Sequence, residues 1–357
     1  MKMIQFGQVY SRVVIFIFLY IGPVGCLFAL SVYNSQQSNV SEPFSAVCIV
    51  YHRFGDTRYP STNTSVSDFE SHIKYLKSQG FSFLTASQVN ENADVSDHKQ
   101  VVITVDDGYQ SFYCKGLETI KKNNVTATLF INTESVGSKD YLTWEQIKEI
   151  ADQGIEIGHH SHAHSHFINL SDSKRAQFFE DDLLTAASLF KKHLGFIPNV
   201  YSYPYGEFDQ LMINVLKKHG YQLGFAQNSG VWNEQSEPFA IPRFPMAGEF
   251  VRLDQFQSKV TMKPLKWQSS EQLPLIVKAG EAISFNLKLA NAELDQLNCF
   301  IAGQNRSDVF TKHGNVVDVL FKVPANRRRT LITFTARDKK GQWYWGSRLV
   351  INPEVKE

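Results

Sequence analysis

The sequence has little cysteine and no excess of charge of either sign. Its 357 residues include 4 Cys, and the three beyond residue 45 show no regular spacing, which gives no disulfide framework. Lys and Arg total 36 against 35 Asp and Glu. A chain this balanced is a poor candidate for binding nucleic acid through its phosphates. With 43% hydrophobic residues it is also too apolar to be disordered. These absences leave a folded protein of about two domains.

One long hydrophobic run is present, and it lies near the N-terminus. Residues 13–30 contain no charge and follow two basic residues. A run of this length is at the lower limit for a membrane-spanning helix. Three interpretations stay open: an uncleaved anchor, a signal peptide cut after Ser31, and a lipoprotein signal acylated at Cys26. In each case residues 1–34 direct export. The rest of the chain is then expected in the periplasm or at the extracytoplasmic face of the membrane, anchored through this segment or secreted.

Beyond a polar linker at residues 35–45, short apolar runs alternate with amphipathic stretches. The runs lie at 46–51, 101–105, 127–131, 155–158, 199–203, 221–226 and 239–242. Ser67 with Glu70, and Thr143 with Gln146, have the spacing of a capping box at a helix start. Strands that alternate with helices indicate parallel βαβ units. The sequence therefore predicts an α/β fold, a distorted (β/α) barrel, over residues 46–258.

The pattern changes after residue 258. A linker is predicted at 259–271, and residues 272–357 contain short alternating strands that are typical of an all-β sandwich. This last segment has 13 Lys and Arg against 8 Asp and Glu. Its Trp343 and Trp345 would share one face of a strand, where they stack on sugar rings or fill the sandwich core. The Arg327–Arg329 run is typical of a solvated turn, or of a site for an acidic polymer.

Two polar clusters follow predicted strands, at the end where barrel folds assemble their sites. Asp106 and Asp107 are adjacent carboxylates, which need solvent, a partner or a metal. Five histidines then lie at positions 159, 160, 162, 164 and 166. One helical turn separates 160 from 164, and 162 from 166, so spacing does not choose between the pairs. Either pair with a carboxylate would suit Zn²⁺ or a similar divalent ion with an open position for water.

A third cluster is the tight turn Tyr203-Pro204-Tyr205-Gly206, whose backbone N–H groups could face a substrate oxygen. In this order the three clusters resemble the polysaccharide deacetylase family (NodB homology, carbohydrate esterase family 4) over about residues 46–256. TVDDGY followed by H-S-x-x-H is the specific part of this resemblance. The segments DDGYQSFYCKGLETIKKNNVTATLFI and SYPYGEFD are similar to the branch that includes biofilm poly-N-acetylglucosamine deacetylases. The resemblance implies that Asp106 is the general base. It also implies that Asp107, His160 and His164 hold the metal.

The chain departs from the family pattern at two places. Many members carry Arg in R-x-P-Y before the turn, where this chain has Ser202, and Arg243 is expected to supply the guanidinium instead. Many also end with an L-x-H strand that bears the catalytic acid. In the similar branch that strand lies on the N-terminal side, and Val50-Tyr51-His52 matches it, so His52 is expected to be the acid; the alternative is a core histidine. The backbone N–H of Tyr205 is expected to stabilise the oxyanion.

The resemblance implies metal-dependent hydrolysis of acetyl groups from an N-acetylated amino-sugar polysaccharide at the cell envelope. Zn²⁺ is the expected ion, with Ni²⁺, Co²⁺ and Fe²⁺ as alternatives. The chain contains no G-x-S-x-G motif, so nothing indicates a serine nucleophile. Two other functions remain open: an esterase acting on O-acetylated xylan or another polysaccharide, and a non-catalytic carbohydrate-binding envelope protein.

Overall fold

The computed structural model describes residues 44–91, 99–269, 275–290, 294–304 and 310–356. The predicted export segment 1–34 lies outside the described residues, as does most of the linker 35–45. Within those ranges, no helix combines the length and the hydrophobicity that crossing a membrane requires. The described residues form one compact unit.

The first part of this unit alternates strands with helices. Its helices are α1 (Val66–Ser78), α2 (Ala86–Glu91), α3 (Leu117–Asn123), α4 (Trp144–Asp152), α5 (Asp172–Leu194), α6 (Gln210–Lys218) and α7 (Leu253–Val260). Its strands are β1 (Ser45–Tyr51), β2 (Arg53–Phe54), β3 (Asn63–Thr64), β4 (Ser82–Leu84), β5 (Gln100–Val105), β6 (Thr128–Ile131), β7 (Glu156–His159), β8 (Val200–Ser202), β9 (Leu223–Phe225), β10 (Trp232–Asn233) and β11 (Phe244–Pro245).

A curved sheet organises this region in the order β10-β1-β5-β6-β7-β8-β9, with β4 beside β5 and β11 beside β1. The pairs from β1 to β9 are parallel, as βαβ units require. One segment touches both edges of the sheet, because Ile241 bridges Phe225 of β9 and β11 then pairs with β1. The predicted distorted (β/α) barrel is therefore confirmed.

Helix starts follow local capping chemistry. Thr143 caps α4, and both hydrogen bonds of the predicted capping box with Gln146 are present. At α1 the predicted start at Ser67 is wrong by two residues. Ser65 is the cap, since its backbone is extended and its hydroxyl accepts the N–H of Asp68 at 3.0 Å.

The C-terminal part is all-β, as predicted. Its strands are β12 (Lys263–Pro264), β13 (Trp267–Gln268), β14 (Leu275–Ile276), β15 (Ala282–Leu289), β16 (Asp295–Ile301), β17 (Phe310–His313), β18 (Val316–Lys322), β19 (Arg329–Arg337) and β20 (Trp343–Ile351). They form one sheet in the order β12-β20-β19-β16, with β14 beside β20, and a second in the order β13-β15-β18-β17. Residues of the predicted linker 259–271 thus supply one strand to each sheet.

The C-terminal sheets pack directly against the barrel region. Leu349 and Ile351 of β20 are buried in the same apolar cluster as barrel residues such as Tyr201. The indole N–H of Trp345 donates to Ser229 Oγ at 2.9 Å, and the ammonium of Lys259 lies 3.9 Å from the centroid of that indole. Trp345 is therefore a packing residue between the two parts of the chain, and Trp343 is the more exposed member of the pair.

Candidate active site

The carboxyl ends of four parallel strands meet at one edge of the barrel. Strand register places Tyr51 opposite Val105, and His159 opposite both Ile131 and Tyr201. The residues that directly follow β1, β5 and β7, and the last residue of β8, are His52, Asp106, His160 and Ser202. The barrel therefore brings the predicted site residues His52, Asp106 and His160 together with Ser202, although the four are spread over about 150 positions of the sequence.

Asp107, His160 and His164 form a compact group of metal-ligating atoms. The Oδ1 of Asp107 lies 3.1 Å from His160 Nε2 and 3.3 Å from His164 Nε2. One ligand atom from each residue falls within 4.8 Å of the other two. Burial acts to raise the pKa of Asp107, but hydrogen bonds from the two imidazoles together with the charges of His52 and His160 hold that pKa well below its ordinary value.

The surroundings of this group suit a divalent cation. His160 Nδ1 lies 2.8 Å from the carbonyl oxygen of Ser202, so Nδ1–H donates there and Nε2, on the side of Asp107, is the nitrogen that could ligate an ion. Two imidazoles and one carboxylate, with the imidazole of His164 partly exposed, are a typical donor set for Zn²⁺ and related ions.

A loop, not a helix, brings the two histidines together. The interpretation that one helical turn joins His160 to His164 is wrong, since β7 ends at His159 and residues 160–166 contain no helical turn. Ser161 and His164 instead adopt left-handed backbone angles, with φ of 70° and 49°. The hydroxyl of Ser161 accepts the N–H of His164 at 3.0 Å and closes the loop.

Left-handed backbone is concentrated at this edge of the barrel. Seven non-glycine residues of the described ranges have positive φ, and four of them belong to the site: Asp107, Ser161, His164 and Tyr205. Each such residue costs of order 1–3 kcal/mol and persists only where surrounding contacts enforce it. The local backbone is therefore held in place by its neighbours.

Asp182 of α5 provides one of those contacts, and sequence reasoning missed it. Its carboxylate accepts the backbone N–H groups of His162 and Ala163 at 2.9 and 2.8 Å. Asp182 is buried between Phe179 and Leu183 on the apolar face of the helix. An acid on the apolar side of an amphipathic helix is the signal that would have identified it.

The remaining histidines of the cluster have other partners. His159 is buried and lies 2.5 Å from the hydroxyl of Tyr221, in the core. His162 pairs with the hydroxyl of Thr133 at 3.0 Å, and His166 lies 3.0 Å from a carboxylate oxygen of Glu207. These three imidazoles lie outside the metal-ligating group.

Asp106 is held by Arg243. Both side chains are fully buried. The guanidinium donates from Nη1 to Oδ1 and from Nη2 to Oδ2, each at 2.8 Å, and also to Thr104 Oγ1 and the carbonyl of Ala226. Burial acts to raise the pKa of Asp106, whereas the charge of Arg243 lowers it, and the net shift is downward. Asp106 is therefore an oriented, ionised carboxylate.

Ser202, which stands where many family members have Arg, belongs to the same network. Its hydroxyl donates to Oδ2 of Asp106 at 3.1 Å and accepts from Nη2 of Arg243 at 2.9 Å. The guanidinium that holds Asp106 thus comes from the segment that closes the barrel. At the end of β8, the hydroxyl of Ser202 makes a further hydrogen bond to the same carboxylate.

His52 lies at the same edge, half-buried. Burial lowers the pKa of its imidazole, while the nearby carboxylates of Asp107 and Asp106 oppose that shift. Among the described residues its ring has no hydrogen-bond partner. The core histidine His72, by contrast, is bonded through both ring nitrogens, to the Tyr51 hydroxyl at 2.9 Å and the Val251 carbonyl at 2.7 Å. The environment of His52 is therefore that of a site residue.

Tyr205 packs against the metal-ligating group. Its ring meets the imidazole of His164 edge-on at 4.6 Å and stacks on His166 at 3.7 Å. The next residue, Gly206, has φ of 69°, and a Cβ there would come within 2.5 Å of Gln227 Cβ, so the turn requires glycine. The predicted role of the Tyr205 backbone N–H stays a prediction.

Comparison with known proteins relates the part of the chain that carries this site to a protein family. Residues 93–224 match the polysaccharide deacetylase family model. Two curated relatives are YxkH of Bacillus subtilis, which carries a provisional polysaccharide deacetylase name, and the poly-β-1,6-N-acetyl-D-glucosamine N-deacetylase of Staphylococcus epidermidis. The first is 28% identical over 59% of this chain and 74% of the relative. The second is 26% identical over 52% of this chain and 70% of the relative.

Solved structures share the fold. The Streptococcus pyogenes deacetylase PplD, in complex with acetate, superposes with a TM-score of 0.55 at 19% identity, covering 61% of this chain and 99% of its own. IcaB from Ammonifex degensii gives 0.53 at 24% identity, with 61% and 98% covered. The predicted resemblance is confirmed: residues 93–224 carry a polysaccharide deacetylase domain, and the chain is a hydrolase.

Proposed function

We propose that this protein is a metal-dependent N-deacetylase of an amino-sugar polysaccharide. The observation that carries the proposal is the placement of a buried, Arg243-paired Asp106 directly beside the Asp107–His160–His164 group. A fixed carboxylate next to a cation site is the arrangement that hydrolysis of an unreactive amide needs.

Asp107, His160 and His164 would hold the ion. A divalent ion supplies polarisation of the acetyl carbonyl oxygen and of the attacking water. Asp106 accepts a proton from that water as its oxygen attacks the acetyl carbon. Arg243 and Ser202 keep the carboxylate in one orientation during this transfer. Oδ1 of Asp106 accepts one hydrogen bond, from Arg243, and retains a further lone pair for the water proton, whereas Oδ2 already accepts from both Arg243 and Ser202.

His52, whose imidazole is influenced by the charges of Asp107 and Asp106, is proposed as the acid. As the bond between the acetyl carbon and nitrogen breaks, its protonated imidazole donates to the departing sugar amine. Acetate and the free amine are the products. The lowered pKa of His52 makes the imidazolium a stronger acid, and its protonated fraction falls as pH rises. The Tyr205 backbone N–H would face the oxyanion.

The substrate assignment is supported by relatives. Several staphylococcal relatives named poly-β-1,6-N-acetyl-D-glucosamine N-deacetylase are 26% identical over 52–60% of this chain. We therefore propose an N-acetylated β-linked glucosamine polymer as the substrate, with Zn²⁺ as the first ion to test and Ni²⁺, Co²⁺ and Fe²⁺ as alternatives.

Acetate release from matched N-acetylated and O-acetylated oligosaccharides tests this function. We expect release from the N-acetylated series, loss of release with chelator, and recovery when Zn²⁺ is returned. Asp106→Asn should lower kcat by roughly 10²–10⁴-fold with metal retained, whereas His160→Ala should lose the metal as well. Release only from the O-acetylated series would make the protein an esterase. Metal-free protein that binds polymer without releasing acetate would make it a binding protein.

We also propose export, supported by the uncharged run at residues 13–30, which follows basic residues. Fractionation of cells that produce the full chain tests this. Activity confined to the cytoplasm would contradict it. Mass spectrometry of the purified N-terminus would distinguish an anchor from a cleaved or acylated signal.

A further inference from the structure

Three consecutive arginines of the C-terminal part have different environments. Arg327 is exposed, as a solvated turn predicts, but Arg328 is only 5% exposed. The Arg328 guanidinium donates from Nε and Nη2 to the two carboxylate oxygens of Glu207, at 2.6 and 2.7 Å. Glu207 is itself 2% exposed. A bidentate ion pair removed from solvent thus joins the chain just before β19 to the segment that follows β8.

From Glu207 the contacts continue into the site. Its second oxygen also lies 3.0 Å from His166 Nδ1, and the His166 ring stacks on Tyr205 with an interplanar angle of 12°. Tyr205 in turn packs its ring against His164 of the metal-ligating group. The chain of contacts therefore runs without a gap from Arg328 to a proposed metal ligand.

Arg329 acts on the same turn from its backbone side. Its Nη1 donates to the carbonyl oxygen of Tyr205 at 2.8 Å, and its guanidinium carbon lies 5.7 Å from the centroid of the Tyr205 ring. Tyr205 has φ of 59°, a conformation that needs external support in a residue with a side chain. Arg328 pairs with Glu207, which holds the His166 imidazole on which the Tyr205 ring stacks. Arg329 holds the Tyr205 carbonyl oxygen.

We propose that Arg328 and Arg329 are positioning residues for the deacetylase site, through which the C-terminal sheets hold the Tyr205 turn in its working geometry. The inference rests on the proposed function and adds a role for the C-terminal part in it. Both arginines lie beyond residues 93–224, which the family model matches. The two solved chains are matched almost end to end yet cover only 61% of this one. The two supporting arginines therefore come from outside the part of the chain that the family model matches.

The test compares Arg328→Met and Arg329→Met with Arg348→Met in the full chain. Arg348 is a matched control because it is a fully buried arginine of β20, in the same sheet, whose guanidinium lies over Phe285 in the sandwich. Three quantities are measured for each protein: kcat and KM for the N-acetylated oligomer, bound metal, and hydrogen–deuterium exchange of the peptide that covers residues 203–207. The midpoint of thermal unfolding shows whether each variant is folded.

We expect kcat of the Arg328 and Arg329 variants to fall roughly 10–100-fold, the usual cost of losing a residue that orients a site, with KM less affected. Exchange at residues 203–207 should rise in both. Arg348→Met should lower the unfolding midpoint while leaving kcat and that exchange unchanged. If Arg328→Met does not fold, Arg328→Lys, which keeps the charge but loses the two-pronged contact, takes its place with the same expectation.

Folded variants with kcat within about twofold of the wild type and unchanged exchange would overturn the proposal. An equal loss of kcat in Arg348→Met would also overturn it, because the effect would then be general destabilisation. The exchange measurement needs no substrate. If the wild-type protein releases no acetate, the proposed function fails, while the exchange data still decide whether the two arginines position the turn.

Discussion

Replacing Arg243 by methionine gives the sharpest test of the Asp106 geometry. The guanidinium makes two hydrogen bonds to Asp106, and both side chains have no exposure to solvent. Methionine fills much of the volume but leaves a buried carboxylate with the Ser202 hydroxyl as its remaining donor among the described side chains. Breaking a buried pair in this way costs about 3–5 kcal/mol of folding stability.

The loss should depend on pH in a defined direction. In the wild type the pKa of Asp106 lies below its ordinary value, so the pair stabilises the fold above the unfolded pKa and loses this effect as pH falls through the folded pKa. In the variant, burial acts without the opposing charge and raises the pKa of Asp106 above its ordinary value. The difference in stability should therefore be largest near neutral pH, begin to shrink as pH falls through the raised pKa of Asp106 in the variant, and go on shrinking until pH falls below the lowered wild-type pKa.

Urea unfolding of chelator-treated protein at several pH values measures this difference, and kcat/KM profiles measure the base. The variant should be nearly inactive at neutral pH and gain activity as rising pH ionises Asp106. Arg348→Met again serves as control, since it removes a buried guanidinium without touching Asp106. A stability difference that is the same at every pH, or a wild-type pH profile in Arg243→Met, would refute the reasoning.

Two further variants test the roles of His52 and Asp182 in the site. His52→Gln should lower kcat by roughly 10²–10⁴-fold with bound metal unchanged and remove the fall in kcat/KM at high pH, whereas His72→Gln, at a core histidine, should lower the unfolding midpoint and spare kcat. Loss of folding in His52→Gln would contradict the acid role. Asp182→Asn should lower metal affinity or kcat roughly 10–100-fold because one backbone N–H of the histidine loop loses its acceptor. Its neighbour on the solvent side of the helix is the control: Asp181→Asn should change neither, and equal effects of the two would count against the loop argument.

Much of the fold was predictable because it depends on local sequence patterns. Apolar runs with turn residues between them mark the barrel strands, and the Thr143 capping box marks a helix start. Asp106 and Asp107 could be placed at the site for the same reason, since they directly follow a strand that reads as buried along its whole length. The carboxyl ends of parallel strands must then lie at one edge.

The choice of histidine pair was not predictable from spacing. Positions 160/164 and 162/166 have the same separation, and the structure separates them through left-handed turns at Ser161 and His164. Neither residue is a glycine, so no residue type marks these turns. Only the resemblance to a family favoured the pair 160/164.

Contacts between distant parts of the chain likewise could not be predicted from the sequence. Glu207 and Arg328 are 121 positions apart, and each alone looks like an ordinary surface charge in the sequence. A run of three arginines is usually solvated, which is right for Arg327 and wrong for Arg328. Pairing of this kind depends on how two sheets dock, and local pattern carries no information about that.

The segment that closes the barrel also has a consequence for how the protein becomes competent. Ile241 bridges β9, and two residues later the chain supplies Arg243 before β11 pairs with β1, nearly two hundred positions upstream. Closing a contact over such a separation has a high entropic cost, because the chain between must be ordered with it. Arg243 belongs to this closing segment, so the pairing that joins the two sides of the sheet also places the guanidinium on Asp106. A chain in which this segment is displaced therefore lacks the group that orients the proposed base.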